Sequence, residues 1–329
     1  MEILKAGIIG LGGMGRCHLN ALLSCKSVEL AALCDINKPL LSELAEKLKV
    51  PSFTSFKEML EKVKVDFVVI ALPHWLHLKA VKEVSSRGVH ILKEKPLARS
   101  YDEAKEIVRI AEENGVKLMV ATQRRYARTF SYAKELVDNG LLGEVILIRG
   151  QYIFYIGHEL GWRGSLEKAG GGALLDPGYH TIDLLYWYKG MPKSVYCKLK
   201  RDIGVGVKHE TEDVALALFE YQDGCIGYIV VNWLSSPSEE KVIIHGTNGC
   251  ILVSWSELLF SKPDGSVVIN EKRSGNLWHE ALLSQLNHFV DCIKHDKTPL
   301  SSGRENLNIM KIISACYESA FSGRKVSLH

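Results

Sequence analysis

The stretch Leu4-Lys5-Ala6-Gly7-Ile8-Ile9-Gly10-Leu11-Gly12-Gly13-Met14-Gly15 decides the fold. A short apolar run breaks into glycines spaced G-x-G-x-x-G, and residues from about Met14 to Ser24 then take helical spacing. Alone, such a string is weak, because glycine-rich turns are common. Between a buried strand and a helix it has a mechanism. Gly10 makes the tight turn, Gly12 lets the backbone approach a pyrophosphate, and Gly15 lets helix and strand pack closely. Main-chain N–H groups at Gly12, Gly13, Met14 and Gly15, with the dipole of the new helix, then hold the negative charge. Asp35 follows at the end of the next apolar run, with Ile36 beside it. There a carboxylate accepts hydrogen bonds from the adenosine ribose and repels a 2′-phosphate. The pattern predicts NAD as cofactor, with NADP less favoured although Lys38 is near enough to accommodate a phosphate. A solvated acid in a strand-end turn is the alternative reading of Asp35.

Working outward, strand-like and helix-like segments alternate. Val28–Cys34, Phe67–Ala71, His90–Lys93 and Lys117–Ala121 are apolar runs. Helical spacing separates them, through Leu40, Leu41, Leu44 and Leu48, through Leu78, Val81 and Val84, and from the capping box at Ser100–Glu103 to about Glu113. Continuous apolar strands between helices mean a parallel sheet covered on both faces, a doubly wound Rossmann domain. After about Thr122 the grammar changes to strands joined by tight turns. Asp213–Tyr221 and Cys225–Trp233 flank Gln222-Asp223-Gly224, Lys241–His245 and Cys250–Ser254 flank Thr247-Asn248-Gly249, and Pro263-Asp264-Gly265 turns a third pair. Helices are expected over about Ala173–Tyr188, Leu277–His295 and Arg304–Ser322. The fold class is therefore α/β in two domains: 1–121, an NAD-binding Rossmann domain, and 122–329, an α+β domain on a mostly antiparallel open sheet.

Composition narrows the function. The chain has 329 residues, 47% hydrophobic and 24% charged, which excludes a disordered chain. Its 41 basic and 38 acidic residues leave a net charge of only +3 and no long basic run, so a nucleic-acid partner is not expected. No apolar stretch is long enough for a bilayer span, and the N-terminal apolar run breaks into glycines too soon for a signal peptide. The eight cysteines contain no C-x-x-C pair and read as reduced core thiols of a cytoplasmic protein.

At this point the residues resemble a known family. Gly10-Leu-Gly-Gly-Met-Gly-Arg-Cys-His18 is similar to the opening of the Gfo/Idh/MocA oxidoreductases, which include glucose–fructose oxidoreductase and inositol dehydrogenase. Leu72-Pro73-His74-Trp75-Leu76-His77 resembles the family's T-P-N-x-x-H, and Glu94-Lys95-Pro96-Leu97 its E-K-P segment. Gly171-Gly172-Ala173-Leu174-Leu175-Asp176-Pro177-Gly178-Tyr179-His180-Thr181-Ile182-Asp183 resembles G-G-x-L-x-D-x-G-x-H-x-x-D. The tail from Pro299 to Gly323 is similar too, so the resemblance covers nearly the whole chain. Leu72 and His74 depart from the family's Thr and Asn. The resemblance implies that Leu72, Pro73, His74, His77, Glu94, Lys95 and Gln123 lie against the cofactor. It also implies an open sheet in the second domain that makes dimers or tetramers.

The chemistry implied is oxidation of a secondary alcohol, which needs a base at the hydroxyl and a cation beside the developing alkoxide. Lys95 follows a strand of the parallel sheet and so sits at its carboxyl end, where ligands bind in such folds. Before Pro96 it is expected on extended backbone, and desolvation is expected to lower its pKa toward neutrality. Asp176 and His180 are four apart in a segment expected to be helical and so face one way. Matched to the family, His180 is the base, Lys95 steadies the oxygen, and Asp176 holds a neighbouring hydroxyl and tunes both. Otherwise Asp176 is a helix cap, His180 a core histidine and Asp183 structural. Trp162 and Arg163 resemble a W-R pair near the substrate, and Tyr126 and His158 are further substrate candidates. The arginines before Tyr126 read equally as substrate contacts or as a solvated or bridging element. His74-x-x-His77 lacks a third ligand, so no metal is expected.

The leading reading is an NAD-dependent oxidoreductase of a small-molecule polyol, sugar or nucleotide sugar. An NAD-dependent glycosidase working by transient oxidation shares the same first step. A non-catalytic sugar or cofactor sensor on the same fold is the third possibility, against which Lys95, Asp176 and His180 all stand.

Overall fold

The computed structural model describes residues 3–157, 160–201 and 209–328. Two compact units divide the chain. The first takes Met1–Ala98, Asp102–Gln123 and Trp278–Leu307, and the second takes Arg99–Tyr101, Arg124–Leu277 and Asn308–His329.

The first unit runs β1 (Leu4–Ile9), α1 (Gly13–Ser24), β2 (Val28–Cys34), α2 (Lys38–Leu48), β3 (Ser52–Phe53), α3 (Phe56–Lys62), β4 (Phe67–Ile70), α4 (His77–Ser85), β5 (His90–Glu94), α5 (Tyr101–Glu113) and β6 (Leu118–Ala121). Its six strands are all parallel, in the order β3-β2-β1-β4-β5-β6. That is the dinucleotide-fold order, which reverses between β1 and β4 and opens a crevice at the carboxyl ends of those strands. The apolar runs read from the sequence are these strands, because a parallel sheet is buried on both faces and needs no polar alternation. All four residues of β4 are buried. The short edge strand β3 and the helix α3 carry too few apolar residues to stand out in the sequence.

The second unit runs α6 (Arg128–Asp138), β7 (Val145–Tyr155), α7 (Leu166–Ala169), α8 (Pro177–Lys189), β8 (Ser194–Lys200), β9 (Val214–Glu220), β10 (Ile226–Asn232), β11 (Leu234–Gly246), β12 (Gly249–Ser254), β13 (Glu257–Ser261) and β14 (Val267–Lys272). After α9 (Leu277–Lys294) and α10 (Gly303–Ser322) the chain ends in β15 (Val326–Ser327). The nine-stranded sheet has the order β14-β13-β12-β11-β7-β10-β9-β8-β15. Its pairings are antiparallel except β10 against β7. Strand β9 alternates buried and exposed residues, the mark of a sheet covered on one face only. The covered face receives α8. A Cβ on Gly150 would stand 2.5 Å from Thr181 Cγ2 and 2.9 Å from Leu185 Cδ1, so glycine there lets helix and strand touch. On the other face Tyr196, Leu218, Tyr228 and Arg149 stand in one row across β8, β9, β10 and β7. Tyr196, Leu216, Leu218 and Ile226 are exposed there.

The sequence placed one boundary after residue 121, whereas residues 278–307 belong to the first unit. The parallel sheet needs cover, and α9 supplies it with Ala281, Leu282, Leu286 and Phe289, all buried. The Phe289 ring meets Phe67 of β4 edge-on at 5.6 Å, Cys25 Sγ donates to Asn287 Oδ1 (3.2 Å), and Ser301 Oγ donates to the Val120 carbonyl (2.8 Å). All eight cysteines are free, and among the described residues no helix is long and apolar enough to cross a membrane.

Candidate functional site

The candidate residues fall on both units. In the first unit they cluster at the carboxyl end of the parallel sheet. Gly10 follows β1 with φ +94°, and a Cβ there would stand 2.2 Å from the Ala71 carbonyl oxygen after β4. A Cβ on Gly15 would stand 2.0 Å from the Gly10 carbonyl oxygen. These two glycines are demanded by the chain itself. Gly12 and Gly13 differ, since a Cβ on either would meet nothing within 4 Å. Gly12 is the N-cap of α1 with no side-chain cap, and the first turn of α1 holds no acid. The chain therefore leaves open space above a helix N-terminus, which fits a pyrophosphate held by main-chain N–H groups.

Asp35, partly exposed at the end of β2, accepts from Leu11 N (2.6 Å) and Asn37 N (2.7 Å). Its carboxylate thus braces the glycine loop, and each oxygen keeps a second lone pair for a ribose hydroxyl. Ile36 beside it is 87% exposed, an apolar surface next to that carboxylate.

Pro73 precedes the 3-10 turn His74–Leu76. His74 and His77 are buried with ring centroids 5.7 Å apart. His77 Nε2 lies 2.9 Å from the Leu72 carbonyl and Nδ1 3.2 Å from that of Pro96. Burial, then the charge of Lys93 and His74, pushes its pKa well below the usual imidazole value, so the ring is neutral. As a neutral ring His77 has one N–H and donates to one of these two carbonyls. Glu94 is buried; Oε1 meets His18 Nε2 at 2.7 Å and Oε2 accepts from Lys95 N at 3.2 Å. Burial pushes the Glu94 carboxyl up, but the His18 hydrogen bond and the charges of His18, Lys95 and Lys93 outweigh it and hold the group below the ordinary carboxylate value. Lys95 itself is partly exposed, just beyond β5, and its peptide to Pro96 is cis. Gln123 is buried at the start of the 3-10 turn Gln123–Tyr126. Burial drives Lys93, the fourth residue of β5, toward neutrality, to a pKa of about 7.

In the second unit, α8 begins at Pro177 rather than near Ala173. Proline suits the first helical position because its missing N–H would have no partner there. Asp176 stands at the N-cap but makes no capping bond. Instead its Oδ2 accepts from Arg163 Nε at 2.7 Å, and the Arg163 guanidinium lies 4.5 Å over the Trp162 ring. The Trp-Arg pair and Asp176 are thus brought together. His180 is buried in the first turn of α8, and Tyr126 is partly exposed. His158 lies outside the described residues.

Asp183 is structural. Its Oδ1 pairs with Arg125 (2.7 Å to Nη2, 2.9 Å to Nε), both side chains are fully buried, and Arg125 lies over the Trp187 ring. Nor is Arg124 a solvated element. It forms a two-point pair with Glu240 (2.6 and 3.1 Å), flanked by the rings of Tyr152 and Trp255. Sequence reading passed over Glu212. This buried carboxylate accepts from Gly172 N, Leu174 N and Tyr317 OH, each at 2.9 Å, and burial outweighs those donors and raises its pKa. It fixes the glycine pair that leads to Asp176. The only signal for it was an acid directly before a strand.

The comparisons agree along the chain. A model described as the oxidoreductase family with NAD-binding Rossmann fold matches residues 4–122, and the GFO/IDH/MocA C-terminal domain matches residues 130–252. The chain is 27% identical to D-apiose dehydrogenase of Rhizobium rhizogenes, over 100% of this chain and 98% of that protein. It is 26% identical to D-xylose 1-dehydrogenase (NADP(+)) 2 of Haloferax volcanii, over 98% and 99%. The crystal structure of the WlbA dehydrogenase from Bordetella pertussis, in complex with NADH and UDP-GlcNAcA, superposes with a TM-score of 0.88 at 25% identity, covering 100% of this chain and 98% of that one.

The two kinds of glycine make a prediction. Gly15→Ala should lower stability by about 2 kcal/mol or more, because its Cβ meets main chain that cannot swing aside. Gly12→Ala should leave the melting temperature unchanged and weaken NAD binding roughly tenfold or more. Thermal unfolding and NAD titration of both variants check this; equal loss of stability in the two would refute the distinction.

Proposed function

The chain belongs to the GFO/IDH/MocA oxidoreductase family and is an NAD-binding dehydrogenase, and from that premise we propose that it oxidises or forms a secondary hydroxyl on a polyol, sugar or nucleotide sugar. The relatives' named substrates support the class. The observation that carries the reading is Lys95, partly exposed just beyond the carboxyl end of β5, while Lys93 and Glu94, the last two residues of the strand, are buried. When bound, the nicotinamide accepts or returns the hydride.

The chain's own residues do the rest. Lys95 donates to the reacting oxygen and offsets its developing charge. His180 takes the hydroxyl proton as the carbinol becomes a carbonyl, and returns it in the reverse direction. Asp176, paired with Arg163, accepts from a neighbouring hydroxyl and so fixes which carbon reacts. Gly12, Gly13, Met14 and Gly15 hold the pyrophosphate and Asp35 the ribose. NAD is preferred over NADP because the Asp35 carboxylate would face a 2′-phosphate. The open face of the second unit, with exposed Tyr196, Leu216, Leu218 and Ile226, is covered by a further copy of the chain, giving a dimer or tetramer.

Three outcomes are expected. Lys95→Met and His180→Ala should each cut turnover about a hundred- to ten-thousand-fold while NAD affinity stays within a few-fold, and the losses should not add in the double variant. A screen of inositols, aldoses and UDP-sugars by NADH absorbance supplies the substrate, and a Lys95→Met enzyme at the wild-type rate would sink the mechanism. Asp35→Ala should weaken NAD binding and narrow the gap between NAD and NADP in parallel titrations; tighter NADP binding by wild type would remove the ribose assignment. Leu218→Glu should yield a smaller species in sedimentation with the fold intact, and an unchanged mass would place any interface elsewhere.

A further inference from the structure

Lys93 is the fourth residue of β5 and has no solvent exposure. Its Nζ lies 2.7 Å from the Glu94 carbonyl, 2.7 Å from that of Pro96 and 3.1 Å from that of Leu97. We propose that Lys93 is a positioning residue for Lys95: its ammonium holds the three main-chain carbonyls of the Glu94–Leu97 turn from beneath and so fixes where Lys95 stands. This rests on the reading of Lys95 as the group at the reacting oxygen.

The match of donors to acceptors carries the inference. An ammonium has three N–H donors and no acceptor, and three carbonyl oxygens surround it. A neutral amine would turn its lone pair toward one of them. The nearby ring of His77 is neutral and has one N–H to give. Its shorter contact is to the Leu72 carbonyl, which leaves the Pro96 carbonyl to Lys93. Burial drives the lysine toward neutrality, while the charges of Glu94 and Glu103 act the other way. From the side, Lys95 N donates to Glu94 Oε2 while Glu94 Oε1 is held by His18. The backbone on both sides of Lys95 is therefore tied down, and its side chain projects from a fixed point. A residue chosen only to fill space in an apolar strand would carry no charge here. Buried charge is costly unless it is fully hydrogen-bonded, as this one is.

The test uses Lys93→Met, which keeps the apolar stem and loses the donors, and Lys93→Gln, which keeps two. In Lys93→Met, amide hydrogen exchange across Glu94–Arg99 should rise about tenfold or more while peptides of α1 exchange as in wild type. NAD affinity should stay within about threefold, and with a substrate that wild type turns over, kcat should fall about ten- to a hundredfold with KM little changed. Lys93→Gln should lie between. A purely structural lysine would lower the melting temperature without that split. Wild-type exchange in the turn, or a raised exchange with unchanged kcat, overturns the proposal. Failure of the Lys95 reading shows separately, as a Lys95→Met enzyme that turns over normally. Should neither Lys93 variant fold, wild-type protein labelled with 15Nζ-lysine decides: one ammonium signal with protons shielded from solvent is expected at about pH 6, below the Lys93 pKa of about 7, and its absence there overturns the proposal.

Discussion

At the carboxyl end of β1 the main chain touches itself. Gly15 comes so close to the Gly10 carbonyl, and Gly10 to that of Ala71, that no side-chain carbon fits at either point. This contact draws the first turn of α1 over the end of β1 and sets β4 against it, where the strand order reverses. The open N-terminus of α1, the Asp35 carboxylate braced on Leu11 N, and the turn after β4 all take their places from it. Without that approach there would be a parallel sheet but no cradle for a pyrophosphate.

The second unit uses the same device with different closure. A Cβ on Gly172 would stand 2.1 Å from the Glu212 carbonyl oxygen, and one on Gly171 1.9 Å from Tyr317 OH. Here the close approach is sealed by polar groups: the Glu212 carboxylate gathers two main-chain N–H donors and a tyrosine hydroxyl. A buried acid with three donors is expensive to desolvate but pairs the Gly172 and Leu174 N–H groups of the loop. The loop is thereby made rigid just before Asp176, where a side chain must be aimed.

What was legible follows from these physics. Parallel strands are buried on both faces and announce themselves as apolar runs, so β1, β2, β4, β5 and β6 were all readable, and the glycine spacing placed the loop. Antiparallel strands were readable where an Asp-Gly or Asn-Gly turn joined them; β7, whose sheet neighbours are remote in sequence, and β8, which no such turn joins to β9, were not. The start of α8 was misplaced because Ala173, Leu174 and Leu175 continue its apolar spacing, although Pro177 marks the true first position. An apolar helix face shows that α9 packs, not on which sheet. Lys93 and Glu212 were invisible for a common reason: a charged residue in a sequence gives no sign of being buried, since its partners are fixed only by the fold.

The two acids of the glycine-rich motif show how burial separates roles that spacing cannot. Asp183 and Arg125 are wholly enclosed, and removing either partner would strand a charge, a loss of about 3–5 kcal/mol. That pair is a fixed part of the second unit's interior. Asp176 also has an arginine, but Arg163 is 37% exposed at its side chain and rests on an indole face rather than in a core. Its guanidinium binds one carboxylate oxygen of Asp176 through Nε. A carboxylate sealed like Asp183 can only support the interior, whereas Asp176 pairs with an arginine that is itself open to solvent.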